Sequence, residues 1–303
     1  MFDVAVSQLT TPRWDLREEI DHVVRHGFSA LAVWRPKLSD TGVADTAREL
    51  DKAGVRVSSL QWAGGFTGGD GRSFAESVDD ARDAIAAAAR LACPVLVLHS
   101  GCRGGHTRSH ACRLLDAAVG TLLPAAAAAG VRLALKPVHP AAAPGASFLS
   151  SLDEALDIVE RFAHPSLGVA CDLWHFGDRA DDVEWLPRIA RHAAVVQIAD
   201  RNGPPCPAAD RLPVGHGRLP LDRWVADLLA HGYRGTIEVD PVGEAVETLG
   251  YEAVLRQTRG IAAAWSEAAA GLLRSHPAAA AHGRPAGTGS RRSQASSQAV
   301  SPG

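Results

Sequence analysis

The stretch RLALKPVHP at residues 132–140 is a short apolar run that ends in a lysine and a histidine. Three later runs also end in polar side chains: GVACDLWH (168–175), AAVVQIAD (193–200) and GTIEVD (235–240). A charged side chain in an apolar strand is costly unless it is paired or used in a site. These four strand ends therefore predict a cluster of polar groups at one edge of a sheet.

The rest of the chain alternates similar runs with amphipathic stretches rich in Ala, Leu and Arg, the pattern of repeated strand and helix units. Eight runs predict strands: DVAVSQL (3–9), ALAVWR (30–35), RVSSLQW (56–62), PVLVLHS (94–100), RLALKP (132–137), SLGVACDLW (166–174), AAVVQIAD (193–200) and GTIEVD (235–240). Eight strands alternating with eight helices predict a single (β/α)8 TIM barrel. An open doubly wound sheet is the alternative, but no GxGxxG follows the first strand, which also argues against a nucleotide cofactor.

Composition excludes several classes of protein. Hydrophobic residues make up 46%, charged residues 21%, and the net charge is −3, so with basic residues scattered along the chain nucleic acid is not an expected partner. No apolar run reaches the ~20 residues of a membrane span, and the first residues lack the basic segment of a secretory signal. We therefore expect a cytoplasmic protein with no membrane partner. The five cysteines lack CxxC spacing, which argues against a disulfide framework and a structural zinc site.

The chain divides into one domain and a tail. Residues 1–274 contain all the strand and helix signals and form the predicted barrel. No aromatic residue follows Trp265, and residues 275–303 are rich in Pro, Ala, Ser and Gly. Such a segment buries too little apolar surface to offset its ordering entropy, so we expect a disordered tail.

In a TIM barrel, catalytic groups lie at the C-terminal ends of the strands and in the loops that follow. The candidate groups at these positions are Lys136, His139, Asp172, His175, Gln197 and Asp240. Glu238 shares the strand face of Asp240, and there we expect a deeper polar pairing rather than a catalytic role.

From LALKPVHP (133–140) through GVACDLWH and DRLPVGHG (210–217) to GYRGTIEVD (232–240), the chain resembles the xylose isomerase-like barrels, which include sugar phosphate isomerases and epimerases and inosose dehydratase-like proteins. The resemblance implies a divalent metal (Mn²⁺, Mg²⁺ or Zn²⁺) held by a Glu, an Asp, a His or Gln, and a last Glu. It implies metal ligation by Asp172, Gln197 and Asp240. It also implies substrate contacts from His139, His175, Gln197 and Arg211.

Three positions depart from the family pattern. Lys136 stands where the first Glu belongs, Asp240 replaces the last Glu, and His216, which we group with the substrate-binding residues, lies in a turn that usually reads GEG. A unit-charge pair at 4 Å is worth ~4 kcal/mol at an effective dielectric near 20, so a divalent ion would lose an attraction of ~8 kcal/mol at position 136 and meet a comparable repulsion. A protonated Lys136 therefore argues against ordinary metal binding.

Three interpretations of Lys136 remain open: a chance substitution or structural ion pair, a cation that replaces the metal, and an amine for base or Schiff-base chemistry. The first function hypothesis is an isomerase or epimerase that acts on a small sugar, polyol or keto acid by proton transfer next to a carbonyl. Its catalytic residues are Lys136, Asp172, His175 and Asp240. The alternative is a non-catalytic sugar-binding barrel that has lost the metal.

Endonuclease IV-like DNA repair enzymes share this fold. Their activity requires several metal ions held by His, Asp and Glu residues and a basic face for DNA, and we find neither in the sequence. A small sugar-like molecule is therefore the expected partner. The sequence is also compatible with a homo-oligomer.

Deleting residues 275–303 should leave the melting temperature almost unchanged, because the deletion removes no predicted core. Thermal unfolding of the full and shortened chains tests this. A drop of more than about 4 °C, or roughly 1 kcal/mol for a domain of this size, would show that the tail docks on the barrel.

Overall fold

The computed structural model describes residues 3–143, 145–179 and 184–275. Eight parallel strands pair in sequence order and close into a barrel, in which β8 pairs with β1. The strands are β1 (Asp3–Ser7), β2 (Ala30–Trp34), β3 (Arg56–Gly64), β4 (Val95–His99), β5 (Arg132–Lys136), β6 (Leu167–Asp172), β7 (Ala193–Ile198) and β8 (Thr236–Val239). The predicted TIM barrel is confirmed, and each strand lies within its predicted run except β3, which extends two residues further, to Gly64.

Helices surround the barrel: α1 (Leu16–Arg25), α2 (Arg35–Thr41), α3 (Val43–Ala53), α4 (Phe74–Arg90), α5 (Arg108–Ala128), α6 (Leu152–Phe162), α7 (Leu173–Phe176), α8 (Trp185–His192), α9 (Leu221–Ala230), α10 (Glu244–Leu249) and α11 (Tyr251–Ser275). A 3₁₀ turn (Gly177–Arg179) follows α7. The short helices α2, α7 and α10, which the sequence did not predict, all follow the C-terminal ends of strands, on the side of the barrel where sites are built.

Side chains alternate between the two faces of each strand, so the apolar residues form two layers, one outside and one inside the barrel. The larger core lies between the sheet and the helices. A small inner cluster fills the barrel itself and is formed by Val95, Val97, Ala134, Ala170 and Val195. Successive side chains on a strand point to opposite faces, so residues two positions beyond this cluster also point inward.

By length and composition alone, α5 could cross a membrane. In the barrel one face of α5 is buried, including Leu115, Val119 and Leu122, and packs in the outer core. This is the environment of a core helix of a folded domain. The last helix, α11, runs to Ser275, and the rest of the predicted tail lies outside the described residues.

Gly64 ends β3 at the mouth of the barrel, where β3 and β4 approach closely. Its φ is +132°, and a Cβ at this position would overlap the carbonyl oxygen of His99. Both the backbone conformation and the space therefore require glycine.

Gly64→Ala should lower the free energy of unfolding by at least ~2 kcal/mol, since strained backbone and steric overlap add. Gly260→Ala is the matched control. Gly260 lies in α11 with no atom near an added Cβ, so alanine there should raise stability by ~0.5–1 kcal/mol. Denaturant unfolding measures both effects, and equal stability of the two variants would contradict the close approach of β3 to β4.

Candidate active site

A row of polar side chains lies directly above the inner apolar cluster. Each of four neighbouring strands contributes one residue: His99 on β4, Lys136 on β5, Asp172 on β6 and Gln197 on β7. The register sets His99 beside Lys136 and Asp172 beside Gln197. The strand-end polar residues predicted from the sequence therefore meet at one mouth.

The Lys136 side chain is buried and its ammonium lies between two acceptors. Its Nζ is 2.8 Å from Oδ2 of Asp172 and donates to Oε1 of Gln197 at 2.6 Å. Asp172 is fully buried, and as the N-cap of α7 its Oδ1 also accepts from the backbone N–H of Trp174 in the first turn of that helix. An acidic strand end thus holds the lysine and starts the following helix.

A second cation, Arg211, joins the two carboxylates of the site. Its Nη2 contacts both oxygens of Asp172 at 3.1 Å and Oδ1 of Asp240 at 2.6 Å, and its Nε donates to the Asp240 carbonyl at 3.2 Å. A cation that replaced the metal at position 136 would be expected to pair with both carboxylates. In the structure Lys136 forms an ion pair with Asp172 alone, whereas Arg211 forms ion pairs with both Asp172 and Asp240.

The loop between β7 and α9 brings Arg211 into the site. Backbone bridges join Asp200 to Leu212 and Arg211 to Val242, so this loop is tied to both β7 and the end of β8. The guanidinium lies 5.1 Å from the ring of Trp174, which packs beside it. Arg211 is therefore fixed by backbone pairing as well as by its ion pairs.

Below the two ion pairs lies Glu238, which is fully buried. It accepts from Nε2 of Gln197 at 2.9 Å, from Oγ of Ser58 at 2.6 Å and from Nε2 of Gln61 at 3.2 Å. Burial raises the pKa of Glu238, while the hydrogen bonds from Ser58 and Gln197 act in the opposite direction. The Gln197 amide thus links Glu238 to Lys136, and the expected deeper pairing runs through glutamine and serine.

The pKa values of the two carboxylates at the mouth, Asp172 and Asp240, are shifted in opposite directions. Despite burial, Arg211 and Lys136 lower the pKa of Asp172 far below its usual range. Burial raises the pKa of Asp240 to about 7, with Asp172 adding to the rise and Arg211 opposing it. Asp172 therefore stays ionised, whereas Asp240 can gain or lose a proton near neutral pH.

Two histidines at the mouth are neutral. Burial, with a contribution from Lys136, lowers the pKa of His99 to about 3. Burial likewise lowers the pKa of His175 to about 3, although Asp172 acts in the opposite direction. His175 Nε2 lies 3.8 Å from Asp172 Oδ2, and its buried Nδ1 has no hydrogen-bond partner among the described residues. Both rings can therefore offer neutral hydrogen-bonding groups to a ligand.

These groups open into a cavity of about 680 Å³. One wall carries Trp62, which is 43% exposed, and Trp174. The facing loop contributes small apolar side chains: Val138, Ala142, Ala143 and Ala146. At the rim, Arg35 and Arg72 both contact Asp80. The cavity is thus large enough for a small molecule and combines apolar walls with a charged floor.

The structure brings six of the eight predicted site residues together: Lys136, Asp172, His175, Gln197, Arg211 and Asp240. His139 lies apart; its Nδ1 accepts from the backbone of Ala141, and it does not line the cavity. His216 is exposed and contacts Gln257, also away from the cavity. Both remain predictions as substrate contacts.

His99 and Trp62 also line the cavity, and neither was among the predicted site residues. For His99 a signal was available, because it follows Val95 and Val97 on the inward face of β4.

The donor set does not fit the divalent metal that the family pattern implies. The oxygens that would ligate an ion are Asp172 Oδ2, Gln197 Oε1 and Asp240 Oδ1, and each already accepts from Lys136 or Arg211. Two cations and two carboxylates leave the set without net charge. A divalent ion would have to displace both cations from these oxygens.

Comparison with known proteins agrees with this architecture. A family model described as xylose isomerase-like TIM barrel matches residues 20–274. No curated protein matches the sequence. Among solved structures, a protein from Sinorhizobium meliloti 1021 is 27% identical, with a TM-score of 0.74 over 84% of this chain and 97% of its own.

Two further structures share the fold. An L-ribulose 3-epimerase is 17% identical, with a TM-score of 0.72 over 94% of this chain and 100% of its own. The IolI protein, solved with a bound zinc atom, is 17% identical, with a TM-score of 0.74 over 86% of this chain and 97% of its own. At these identities the likeness concerns the fold.

Lys136→Met should lower the free energy of unfolding by ~3–5 kcal/mol, because a buried carboxylate loses one of its cations. The exposed Lys52 on α3 provides the control, since Lys52→Met should change stability by less than ~0.5 kcal/mol. The double variant Lys136→Met/Asp172→Asn should recover part of the loss. Chemical unfolding measures all three, and a Lys136→Met variant as stable as the parent would show that the ion pair is not formed.

Proposed function

The chain belongs to the xylose isomerase-like TIM barrel family. We propose that it is an isomerase or epimerase of a small sugar, polyol or keto acid, and that it uses fixed cations in place of a metal. The observation that carries the proposal is the position of the Lys136 ammonium, between Asp172 and Gln197 on the cavity floor. An ammonium there supplies a positive centre next to a bound carbonyl.

The chemistry is proton transfer next to the carbonyl. Asp240 as a carboxylate takes the proton from the neighbouring carbon, the C–H electron pair forms the enediolate, and the negative charge develops on the carbonyl oxygen. Lys136 and Arg211 stabilise that oxygen electrostatically, with no reorganisation of the site at the moment of reaction. Delivery of a proton from water to the opposite face gives an epimer, and the proton left on Asp240 then passes to solvent. Return of the proton from Asp240 to the former carbonyl carbon, after a proton moves between the two oxygens, gives an isomer.

Asp240 is the base in this scheme because it lines the cavity and its pKa is raised to about 7 by burial. General bases work best when their pKa lies near the working pH. Asp172, which two cations hold ionised, keeps Lys136 and Arg211 in place. The neutral His175 is suited to carry a proton between substrate oxygens.

The walls favour a carbohydrate-like ligand. Trp62, which is 43% exposed, presents an aromatic face that can pack against C–H groups, while the floor offers donors for hydroxyl and carbonyl oxygens. We therefore keep a small sugar-like molecule as the partner. The cytoplasm remains the expected location.

The alternative is a barrel that binds a sugar without converting it. One observation favours it: both carboxylates of the mouth contact cations, which hold Asp172 ionised and oppose the rise in the pKa of Asp240. Binding and conversion differ in whether a carbon-bound hydrogen exchanges with solvent.

Incubation in D₂O with ketoses, aldoses, sugar phosphates and keto acids should lead to deuterium incorporation next to the carbonyl of at least one ligand, detectable by NMR. The exchange rate should rise with pH through about 7, because only the ionised Asp240 accepts a proton. Asp240→Asn should abolish exchange, and Asp240→Glu should retain part of it. A ligand that binds without exchange across the pH range would establish the non-catalytic alternative.

Lys136→Glu should create a divalent site, since it removes the ammonium and adds a third carboxylate. Mn²⁺ at a hundredfold excess over its Kd would then stabilise the variant by ~2.7 kcal/mol, whereas Mn²⁺ and Mg²⁺ should leave the parent chain unchanged. Lys136→Gln, which removes the charge without adding a ligand oxyanion, should bind more weakly than the glutamate variant. Stoichiometric Mn²⁺ binding by the parent that disappears in Asp172→Asn would contradict the proposal.

A further inference from the structure

We propose a zinc site on the outside of the barrel, formed by His22 and His26 at the end of α1 and Glu252 at the start of α11. One imidazole nitrogen of each histidine and one carboxylate oxygen of Glu252 all lie within 4.8 Å of one another. The site is separate from the cavity, so it does not depend on the proposed function.

Helix geometry places the two histidines together. His22 lies in the last turn of α1 and His26 is its C-cap, and the His26 N–H bonds to the His22 carbonyl at 3.0 Å. Residues four apart on a helix lie on one face. Two imidazoles with this spacing are a favourable pair of ligands for zinc, which accepts nitrogen and carboxylate donors.

The third ligand and the orientation of the rings are already in place. His22 Nδ1 lies 2.9 Å from Oε1 of Glu252, and the His22 ring stacks on Trp14 with the centroids 4.2 Å apart. The buried Nε2 of His26 has no hydrogen-bond partner among the described residues. An imidazole nitrogen that is removed from solvent and unpaired gains more from a metal bond than a hydrated one does.

Three protein ligands leave one position of a tetrahedral zinc ion for water. The competing charge is Arg25, whose Nη1 lies 3.4 Å from Oε1 of Glu252. Its side chain is 62% exposed, so it can move into solvent when zinc takes the carboxylate. Arg25 Nη1 also lies 3.4 Å from His22 Nδ1, so zinc must displace this arginine from two of the ligand atoms. Arg256 adds positive charge near His26, which further reduces the affinity for zinc.

The proposed zinc site would link the first and last helices of the barrel. The helices α1 and α11 lie at the two ends of the barrel sequence, next to the seam at which β1 pairs with β8. A metal bound by both helices joins the first and last units of the barrel. Zinc binding should therefore raise the stability of the closed barrel, because it favours the folded state by mass action.

Isothermal titration of the full chain with Zn²⁺, together with melting curves, tests the proposal. The parent chain should bind one equivalent at this site and melt at a higher temperature with zinc. His22→Asn, His26→Asn and Glu252→Gln should each weaken binding at least tenfold and lose the shift in melting temperature. Arg25→Gln should bind at least as tightly as the parent, and weaker binding by this variant would count against the site.

His110→Asn is the matched control. His106 and His110 are also four residues apart and their rings stack with centroids 4.6 Å apart, but no third ligand joins them among the described residues. This variant should bind zinc like the parent. Zinc binding that survives His26→Asn and disappears in His175→Asn would assign the metal to the cavity and overturn the proposal. Absence of binding by the parent would overturn it as well.

Discussion

The contact between the Lys136 ammonium and the fully buried Asp172 carboxylate determines the rest of the site. A buried carboxylate is tolerated only when cations and hydrogen-bond donors surround it. Lys136, Arg211 and the N–H of Trp174 meet that requirement. Meeting it fixes the positions of both cations at the mouth and leaves no ligand set for a divalent ion.

The same arrangement separates the roles of the two aspartates. Asp172 contacts Lys136 and Arg211 and stays ionised. Asp240 contacts only Arg211 of these two cations, and burial together with Asp172 raises its pKa. Neighbouring carboxylates with diverging pKa values are a general way to obtain a structural anion and a titrating base in one cavity. The barrel thereby keeps a base near neutral pH beside fixed positive charge.

Much of this arrangement could be predicted from the sequence because strand alternation is a strong constraint. Apolar residues at alternate positions of β5, β6 and β7 place Lys136, Asp172 and Gln197 on the inward face. The contacts of Arg211 could not be predicted from spacing, because they depend on backbone bridges that tie its loop to β7 and to the end of β8. His216 belongs to the same loop and points to Gln257, since a turn can direct neighbouring side chains to different sides.

In the proposed function the Lys136 ammonium stands where a metal would otherwise bind. Crystals of the parent chain grown with Mn²⁺ and measured at the manganese absorption edge test it most directly. We predict no anomalous peak among Lys136, Asp172, Gln197 and Asp240, and density for the ammonium within hydrogen-bond distance of the Asp172 and Gln197 oxygens. A full-occupancy manganese peak bound by Asp172, Gln197 and Asp240, with Lys136 turned away, would contradict the account.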